Sequence, residues 1–266
     1  MPIVVNITKT SALRLMIRQL TCGLMIAVNM LIGTVGAHAG EISLAVASNF
    51  LAVEKELARA FEQKSGHDVI TSSGSTGKLT TQIMQGAPFD IFMAADTVRP
   101  RKLIELGYAV DESFIIYATG RLALWSPTAE SPEALKMMLL NKRYKHLALA
   151  NPKTAPYGAA AIKVMDALKL GSIDQLVFGE NITQSYQFVK TGNADLGFVA
   201  LSQLQKEPVG SYWPVPDRLH QPLTQALVVI GDASKKEAVA SFLEFLGSSE
   251  ARSIITSYGY TVASGE

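Results

Sequence analysis

Short apolar runs along the chain alternate with stretches in which apolar residues recur every three or four positions. The first run covers residues 42–47 and precedes Val53, Leu57 and Phe61, whose four-residue spacing predicts a helix that ends at Gly66. Two more strands of this half are predicted at 68–72 and 89–94, each followed by a short helix. Strands that alternate with helices favour an α/β protein with mainly parallel, doubly wound sheets, which bind ligands at the carboxyl ends of their strands.

The second half of the chain repeats this alternation. Strands are predicted at 122–125, 146–150, 196–200 and 225–230, and helices at 131–140, 159–170, 235–246 and 250–258. Two series of this kind predict two lobes, with residues 40–118 and 223–266 in lobe 1 and residues 119–222 in lobe 2. The chain is expected to cross between the lobes twice, near 117–121 and 217–225, so that the two connections form a hinge.

The first 39 residues have the pattern of a secretory signal peptide. Lys9, Arg14 and Arg18 precede a mostly apolar stretch at 20–35, and Ala37-His38-Ala39 has the small-x-small form of a cleavage site. The apolar stretch is short for a membrane span, which requires about twenty apolar residues. We therefore predict cleavage after Ala39 and a periplasmic location.

Composition argues against several classes of protein. Cys22 is the only cysteine of the 266 residues and lies in the predicted leader, so we expect no disulfide after export. The leader holds three basic and no acidic residues, and its removal lowers Lys+Arg from 24 to 21 against 23 Asp+Glu, a net charge near −2. A nearly neutral protein lacks the electrostatic attraction that nucleic acid or an anionic membrane requires, so we expect neither as a partner.

Small neutral polar side chains occur at four places where a strand or loop leads into a predicted helix. These places are Ser48-Asn49, Ser73-Gly74-Ser75-Thr76-Gly77, Pro156-Tyr157-Gly158 and Asn181-Ile182-Thr183. A helix start offers unpaired N–H groups and about half a positive charge. Several helix starts that meet in one cleft therefore predict an uncharged binding site for a small anion.

Simpler explanations compete with this one. Ser48 and Thr76 are also ordinary helix caps, and a single cap of this kind indicates no ligand. A secreted serine hydrolase that uses Ser48 or Ser75 would need a histidine base, and the sequence places none nearby. Three histidines follow the leader without the spacing of metal ligands, at His67, His146 and His220. We therefore predict that the protein is not an enzyme, has no cofactor and binds no metal ion directly.

Five segments of the chain resemble the periplasmic molybdate-binding proteins, the ModA component of ABC importers. The segments, in chain order, are Ala47-Ser48-Asn49-Phe50, the loop that ends at Thr76, residues 86–96, residues 151–158 and residues 194–200. The resemblance covers nearly all of the chain after the leader and implies a two-lobed type II periplasmic binding protein. It also implies a monomer that captures molybdate or tungstate and delivers it to a membrane permease with its ATPase.

The resemblance further implies which residues bind the oxyanion. Ser48 and Thr76 match positions whose hydroxyl and main-chain N–H groups hold it from lobe 1, and Asn49 matches a second donor in the same turn. Tyr157 and Ile182 match positions in lobe 2 that contribute main-chain N–H groups.

At one position the chain departs from some members of the family. Ala200 stands where those members place a tyrosine hydroxyl on the ligand, and other members also lack it. The members that lack it have a tyrosine at the position of Tyr157, which suggests that the hydroxyl of Tyr157 compensates.

A site built only of donors selects anions by their protonation state. Protonated phosphate carries an O–H that needs an acceptor, whereas molybdate, tungstate and sulfate are fully ionised at neutral pH. Molybdate and sulfate share charge and shape, so only the size of the cavity can separate them. A general receptor for sulfate-type tetrahedral oxyanions therefore stays open as an alternative.

Overall fold

The computed structural model describes residues 40–205 and 209–262, which belong to one compact unit. The predicted leader and its cleavage site at Ala39 lie outside the described residues. Within the described part of the chain, no helix is long and apolar enough to cross a membrane.

Strands and helices alternate along most of the described chain. The strands are β1 (Glu41–Ala47), β2 (Asp68–Gly74), β3 (Ile91–Met93), β4 (Ile115–Gly120), β5 (Leu122–Ser126), β6 (Leu147–Ala150), β7 (Leu176–Gly179), β8 (Leu196–Ala200), β9 (Ser211–Pro214) and β10 (Leu223–Val229). The helices are α1 (Leu51–Ser65), α2 (Thr76–Met84), α3 (Val98–Glu105), α4 (Pro132–Leu140), α5 (Pro156–Ala167), α6 (Ile182–Lys190), α7 (Glu237–Leu246) and α8 (Ser249–Ser257).

The strands of the described residues form two five-stranded sheets with the same arrangement. The order is β2-β1-β3-β10-β4 in the first sheet and β7-β6-β8-β5-β9 in the second. In each sheet the first three strands are parallel, and the fourth pairs antiparallel with both of its neighbours. Both sheets are therefore mixed, with four strands in one direction and one reversed strand, β10 or β5.

Each sheet is covered by apolar side chains on both faces. Helices α1, α7 and α8 pack on one face of the first sheet, and α2 and α3 pack on the other. Helices α4 to α6 cover the second sheet. We call each sheet with its helices a lobe, lobe 1 for the first sheet and lobe 2 for the second. Burial on both faces is expected for strands that are nearly continuous apolar runs.

The chain passes from the first sheet to the second at Arg121, between β4 and β5, and returns over residues 215–222. Most of the connection predicted at 117–121 is therefore the strand β4, which the sequence pattern did not indicate. Strands β7 and β9 were also not predicted. All three lie at sheet edges, where exposed or half-buried positions interrupt the apolar run.

Helix boundaries follow local start and stop signals. Gly66 adopts φ +74° directly after α1, the left-handed conformation that glycine tolerates best, so the predicted end of this helix is confirmed. Helix α5 begins at Pro156, three residues before the predicted start at 159, because proline suits the first position of a helix.

Candidate anion-binding site

A small pocket between the two lobes contains all five residues proposed from the sequence. It is lined by Ala47, Ser48, Asn49, Gly74, Ser75, Thr76, Ala95, Ala155, Pro156, Tyr157 and Ile182. None of these side chains carries a charge. The volume of the pocket is about 10 Å³, close to the space that one water requires.

The parallel strands bring the pocket residues together. Ser48 and Asn49 lie between β1 and α1, and Thr76 is the first residue of α2, which follows β2. From lobe 2, Tyr157 is the second residue of α5, which follows β6, and Ile182 is the first residue of α6, which follows β7. The pocket thus forms where helices begin at the carboxyl ends of strands in both sheets, as expected for this class of fold.

Several main-chain N–H groups at the pocket have no acceptor among the described residues. Beside the N–H group of Ser75, they are those of four residues proposed from the sequence, Asn49, Thr76, Tyr157 and Ile182. The last three belong to first turns of helices, which provide no acceptor of their own. At α6 the side chain of Asn181 accepts from Gln184 N–H at 3.1 Å and so caps a different donor. The residues proposed from the sequence therefore contribute four unpaired donors to one pocket, two from each lobe.

Ser48 contributes less than the sequence suggested. Its main-chain N–H donates to Gly74 O at 3.0 Å, so this N–H is not available to a ligand. Its hydroxyl has no hydrogen-bond partner among residues 40–205 and 209–262 and remains the available donor. The Thr76 hydroxyl accepts from Ala95 N–H at 3.2 Å and keeps its own proton to donate.

The side chain of Asn49 is committed to protein groups. Its Nδ2 donates to Gln225 Oε1 at 2.9 Å and to Tyr260 Oη at 3.0 Å, which uses both amide hydrogens. The Asn49 carbonyl in turn accepts from Tyr260 Oη at 2.9 Å and from Ser202 Oγ at 3.1 Å. Asn49 therefore presents its main-chain N–H to the pocket, while its side chain fixes the turn.

The hydroxyl of Tyr157 belongs to the same buried network. Gln225, on β10, accepts from Tyr117 Oη at 2.9 Å and donates to Tyr157 Oη at 3.3 Å. Burial, reinforced by the nearby Tyr260, raises the pKa of Tyr157 well above its ordinary value, so the phenol stays protonated at neutral pH. The hydroxyl expected to compensate for Ala200 is thus engaged with Gln225, and the main-chain N–H of Tyr157 is its contribution to the pocket.

Ser75 is a pocket residue that the sequence analysis did not select. Its Oγ is buried and has no hydrogen-bond partner among the described residues, although Ser75 is the N-cap of α2. A buried hydroxyl without a partner is unfavourable in the free protein by about 1 to 3 kcal/mol. The serine and threonine loop before α2 contained the signal, but it did not distinguish Ser75 from its neighbours.

Hydrogen bonds and an ion pair join the lobes around the pocket. Thr183 Oγ1 donates to Ser48 O at 3.0 Å, and Gly77 N–H donates to Thr154 O at 2.9 Å. Lys78 pairs with Glu180 at 2.5 Å and is not among the residues that line the pocket. These contacts hold the two lobes together.

Two aspartates near buried strands have structural roles. Asp195 Oδ2 accepts from Lys145 N–H at 2.7 Å and His146 N–H at 2.9 Å. Asp90 Oδ2 accepts from Ser43 N–H at 2.9 Å, and its carboxylate pairs with Lys236. Neither aspartate lines the pocket.

Comparison with known proteins agrees with this arrangement. A family model described as bacterial extracellular solute-binding protein matches residues 42–261. The chain belongs to this family. It is 45% identical to a Rhodobacter capsulatus protein named molybdate-binding protein ModA, over 84% of this chain and 89% of that protein.

Two solved structures have the same fold as this chain. The Azotobacter vinelandii periplasmic molybdate-binding protein aligns with a TM-score of 0.80 at 33% identity, over 84% of this chain and 100% of that chain. The sulfate-binding protein SubI of Mycobacterium tuberculosis aligns with a TM-score of 0.68 at 14% identity, over 84% and 87%, which shows the fold alone. The fold of a two-lobed type II solute-binding protein and the resemblance to ModA are thereby confirmed.

Proposed function

We propose that this protein binds molybdate, and tungstate equally well, in the pocket between its lobes and delivers the ion to an ABC importer. The observation that carries the proposal is the uncharged pocket with four unpaired main-chain N–H groups, in a chain 45% identical to a molybdate-binding protein. The site residues proposed from the sequence, Ser48, Asn49, Thr76, Tyr157 and Ile182, are retained, and Ser75 is added.

The donors of the pocket suffice for tight binding without a cation. Four N–H groups and the hydroxyls of Ser48, Ser75 and Thr76 would surround the oxygens of the ion. Each hydrogen bond to a charged acceptor contributes about 1.5 to 3 kcal/mol. Together they can offset ion desolvation and leave about 8 to 12 kcal/mol, which corresponds to micromolar to nanomolar dissociation constants.

The same donors explain which anions we expect the pocket to reject. No lining residue supplies a carboxylate that could accept a proton from phosphate. Sulfate meets the same donors as molybdate, so its rejection depends on the size of the closed cavity. A general receptor for sulfate-type oxyanions is the second candidate, and it is favoured by a lining that offers sulfate the same donors as molybdate.

Closure of the lobes would couple binding to transport. We assign residues 40–120 and 223–266 to lobe 1 and residues 121–222 to lobe 2, which moves the boundary expected at 118 to the end of β4, with the leader 1–39 removed on export to the periplasm. An ion held by lobe 1 recruits N–H groups from lobe 2, so binding favours the closed form. A permease with its ATPase would recognise that form of the monomeric receptor.

Hydrolysis is a weaker explanation of the pocket. A serine nucleophile needs a base within hydrogen-bond distance, and no histidine lines the pocket beside Ser48 or Ser75. The family is one of solute-binding proteins, and we propose that this member has no catalytic activity and no cofactor.

Calorimetric titration of the purified protein tests the proposal directly. Molybdate and tungstate should release heat with similar dissociation constants, whereas phosphate should give none. Sulfate that binds as tightly as molybdate would favour the second candidate. An absence of heat with all four anions would contradict both.

A further inference from the structure

Two open spaces adjoin the pocket on different sides. One, about 850 Å³ in volume, lies between α3 and α5 and shares Ala95 and Pro156 with the pocket. The other, about 580 Å³ in volume, lies beside α6 and shares Ser48 with it. Because of the residues that line them, we call the first the basic mouth and the second the polar mouth.

The basic mouth carries two uncompensated positive charges. Its charged residues are Asp96, Arg99, Lys102 and Lys163, and Arg99 pairs with Asp96. Lys102 on α3 and Lys163 on α5 are exposed, and neither forms an ion pair with another residue in 40–205 or 209–262. The two lysines therefore face the same opening from opposite lobes.

The polar mouth offers no such attraction. Among the described residues that line it, only Glu180 is charged, and Glu180 already pairs with Lys78. An anion that approaches this side meets a neutral or slightly negative surface.

Different groups of the protein bind the anion and attract it from solution. Hydrogen-bond donors in the pocket act only over contact distances. The exported chain has a predicted net charge near −2, with 21 basic residues against 23 acidic ones, so the molecule as a whole does not attract an anion. Charges at the entrance of a cleft, in contrast, raise the local concentration of an oppositely charged ligand and its association rate.

We propose that the oxyanion enters through the basic mouth and that Lys102 and Lys163 accelerate its capture without contacting it in the closed pocket. This inference rests on the proposed function and extends it from the bound state to the path of entry. The two lysines therefore set the association rate, and the neutral pocket sets the dissociation rate.

Stopped-flow kinetics with sodium molybdate test the proposal. The full chain is expressed and purified after export with Gln187→Cys, an exposed position in the polar mouth, to carry an environment-sensitive dye. Removal of both charges by Lys102→Gln and Lys163→Gln should lower the association rate about 3- to 10-fold at low ionic strength. In about 0.5 M NaCl the association rates of this variant and the parent should converge, since salt then screens the charges of the two lysines. The dissociation rate should not change.

A matched control removes two lysines elsewhere. Lys55 on α1 and Lys136 on α4 are exposed, one in each lobe, and line neither mouth. The double variant Lys55→Gln, Lys136→Gln changes the net charge by the same amount as the removal of Lys102 and Lys163. It should alter the association rate less than 2-fold if the position of the charges, rather than the net charge, controls association. Calorimetry at both salt concentrations should show that the dissociation constants of the variants differ from that of the parent by the same factors as their association rates.

The outcomes distinguish this inference from the proposed function. Suppose that the parent protein binds molybdate but both double variants bind it as fast as the parent, or more slowly by the same factor. The entry path is then overturned, and the proposed function is not. A faster dissociation in the Lys102 and Lys163 variant would mean that these lysines contact the bound ion, which also overturns it. A parent that gives no heat with molybdate refutes the proposed function and the entry path together.

Discussion

Two neighbouring hydroxyl groups at the pocket differ in how they affect the stability of the free protein and the binding of a ligand. Ser75 Oγ is buried without a partner, whereas Thr76 Oγ1 accepts from Ala95 N–H at 3.2 Å. The first hydroxyl has no partner among the described residues and can donate to a ligand in the pocket. The second is favourable in both states. Neighbouring hydroxyls of one loop are therefore expected to differ in the effect of their removal.

Ser75→Ala should weaken molybdate binding while leaving the free protein as stable as before or more stable. The expected loss of affinity is about 1 to 2 kcal/mol, roughly 10-fold, because one donor to a charged acceptor is lost. Calorimetry measures the affinity, and urea unfolding of the free protein measures the stability.

Thr76→Ala is the matched comparison for Ser75→Ala. It should weaken binding by about 1 to 3 kcal/mol and also destabilise the free protein, since buried Ala95 N–H loses its acceptor. Thr81→Ala removes an exposed hydroxyl of the same helix and should change neither property. Unchanged affinity in Ser75→Ala, or lower stability equal to that of Thr76→Ala, would show that Ser75 has a structural role.

A carboxylate away from the pocket makes stability depend on pH. Burial raises the pKa of Asp195, but the N–H groups of His146 and Lys145 outweigh this effect and hold the pKa below its ordinary value of 3.8. A lowered pKa means that the stabilisation is present above pH 4 and is lost as the pH falls through the pKa of the folded protein.

Asp195→Asn should therefore lower the free energy of unfolding by about 1 kcal/mol at pH 7, because a neutral amide accepts the two N–H groups less strongly. The difference should shrink as the pH falls below 3.8, because the unfolded chain then takes up the proton of Asp195 before the folded protein does. Urea unfolding at pH 7 and pH 3 measures it. Asp232→Asn, an exposed carboxylate paired with Lys235, serves as the control and should have little effect at either pH. Equal destabilisation by Asp195→Asn at pH 3 and pH 7 would contradict this account.

At the scale of elements, strand β4 and helix α5 meet where the chain crosses between the sheets. A Cβ at Gly120, the last residue of β4, would lie 2.0 Å from Tyr157 Oη and 2.6 Å from Gln225 Nε2. Glycine is needed here for space, because β4 approaches the buried network that supports the Asn49 turn. The hinge and the pocket are therefore linked through one close contact.

Gly120→Ala should destabilise the protein by about 1 to 3 kcal/mol and weaken molybdate binding, because the Tyr157 ring must move. Addition of Tyr157→Phe should restore part of both properties, since it removes the atom 2.0 Å from the new Cβ. Thermal unfolding and calorimetry measure the two effects. Gly247→Ala is the control, because its Cβ would have no neighbour closer than 3.4 Å. A tolerated Gly120→Ala would rule out this link.

At the scale of the whole molecule, binding should be visible as a change in thermal stability. The pocket draws donors from both lobes, so a bound ion stabilises the closed native state and has no site on the unfolded chain. At a molybdate concentration about 100 times the dissociation constant, the gain is about 2.7 kcal/mol. For a chain of this length that raises Tm by roughly 5 to 10 °C.

Thermal scans with equal concentrations of molybdate, tungstate and sulfate should therefore separate the candidate ligands. We expect similar shifts for molybdate and tungstate and none for sulfate. Potassium chloride at matched ionic strength controls for general effects of salt. A sulfate shift as large as that of molybdate would favour the broader oxyanion receptor.

Local sequence patterns were sufficient to predict most of the interior and the positions of the helix starts. Central strands such as β1 and β8 are continuous apolar runs because both of their faces are buried, and this pattern is local. The edge strands β4, β7 and β9 were not predicted, because their pairing depends on a neighbouring strand rather than on their own hydrophobicity. The five site residues were identified from helix starts and from the resemblance, and the structure brings all five to one pocket.

Which atom each proposed site residue presents to the pocket depends on contacts between distant parts of the chain. The amide of Asn49 is taken by Gln225 and Tyr260, which lie 176 and 211 positions away in the chain, so no local pattern could reveal it. The unpaired hydroxyl of Ser75 is likewise defined by the absence of a neighbour among the described residues. Periodicity and capping are properties of adjacent residues and can be read from the sequence, whereas hydrogen-bond partners across the fold exist only once the chain has folded.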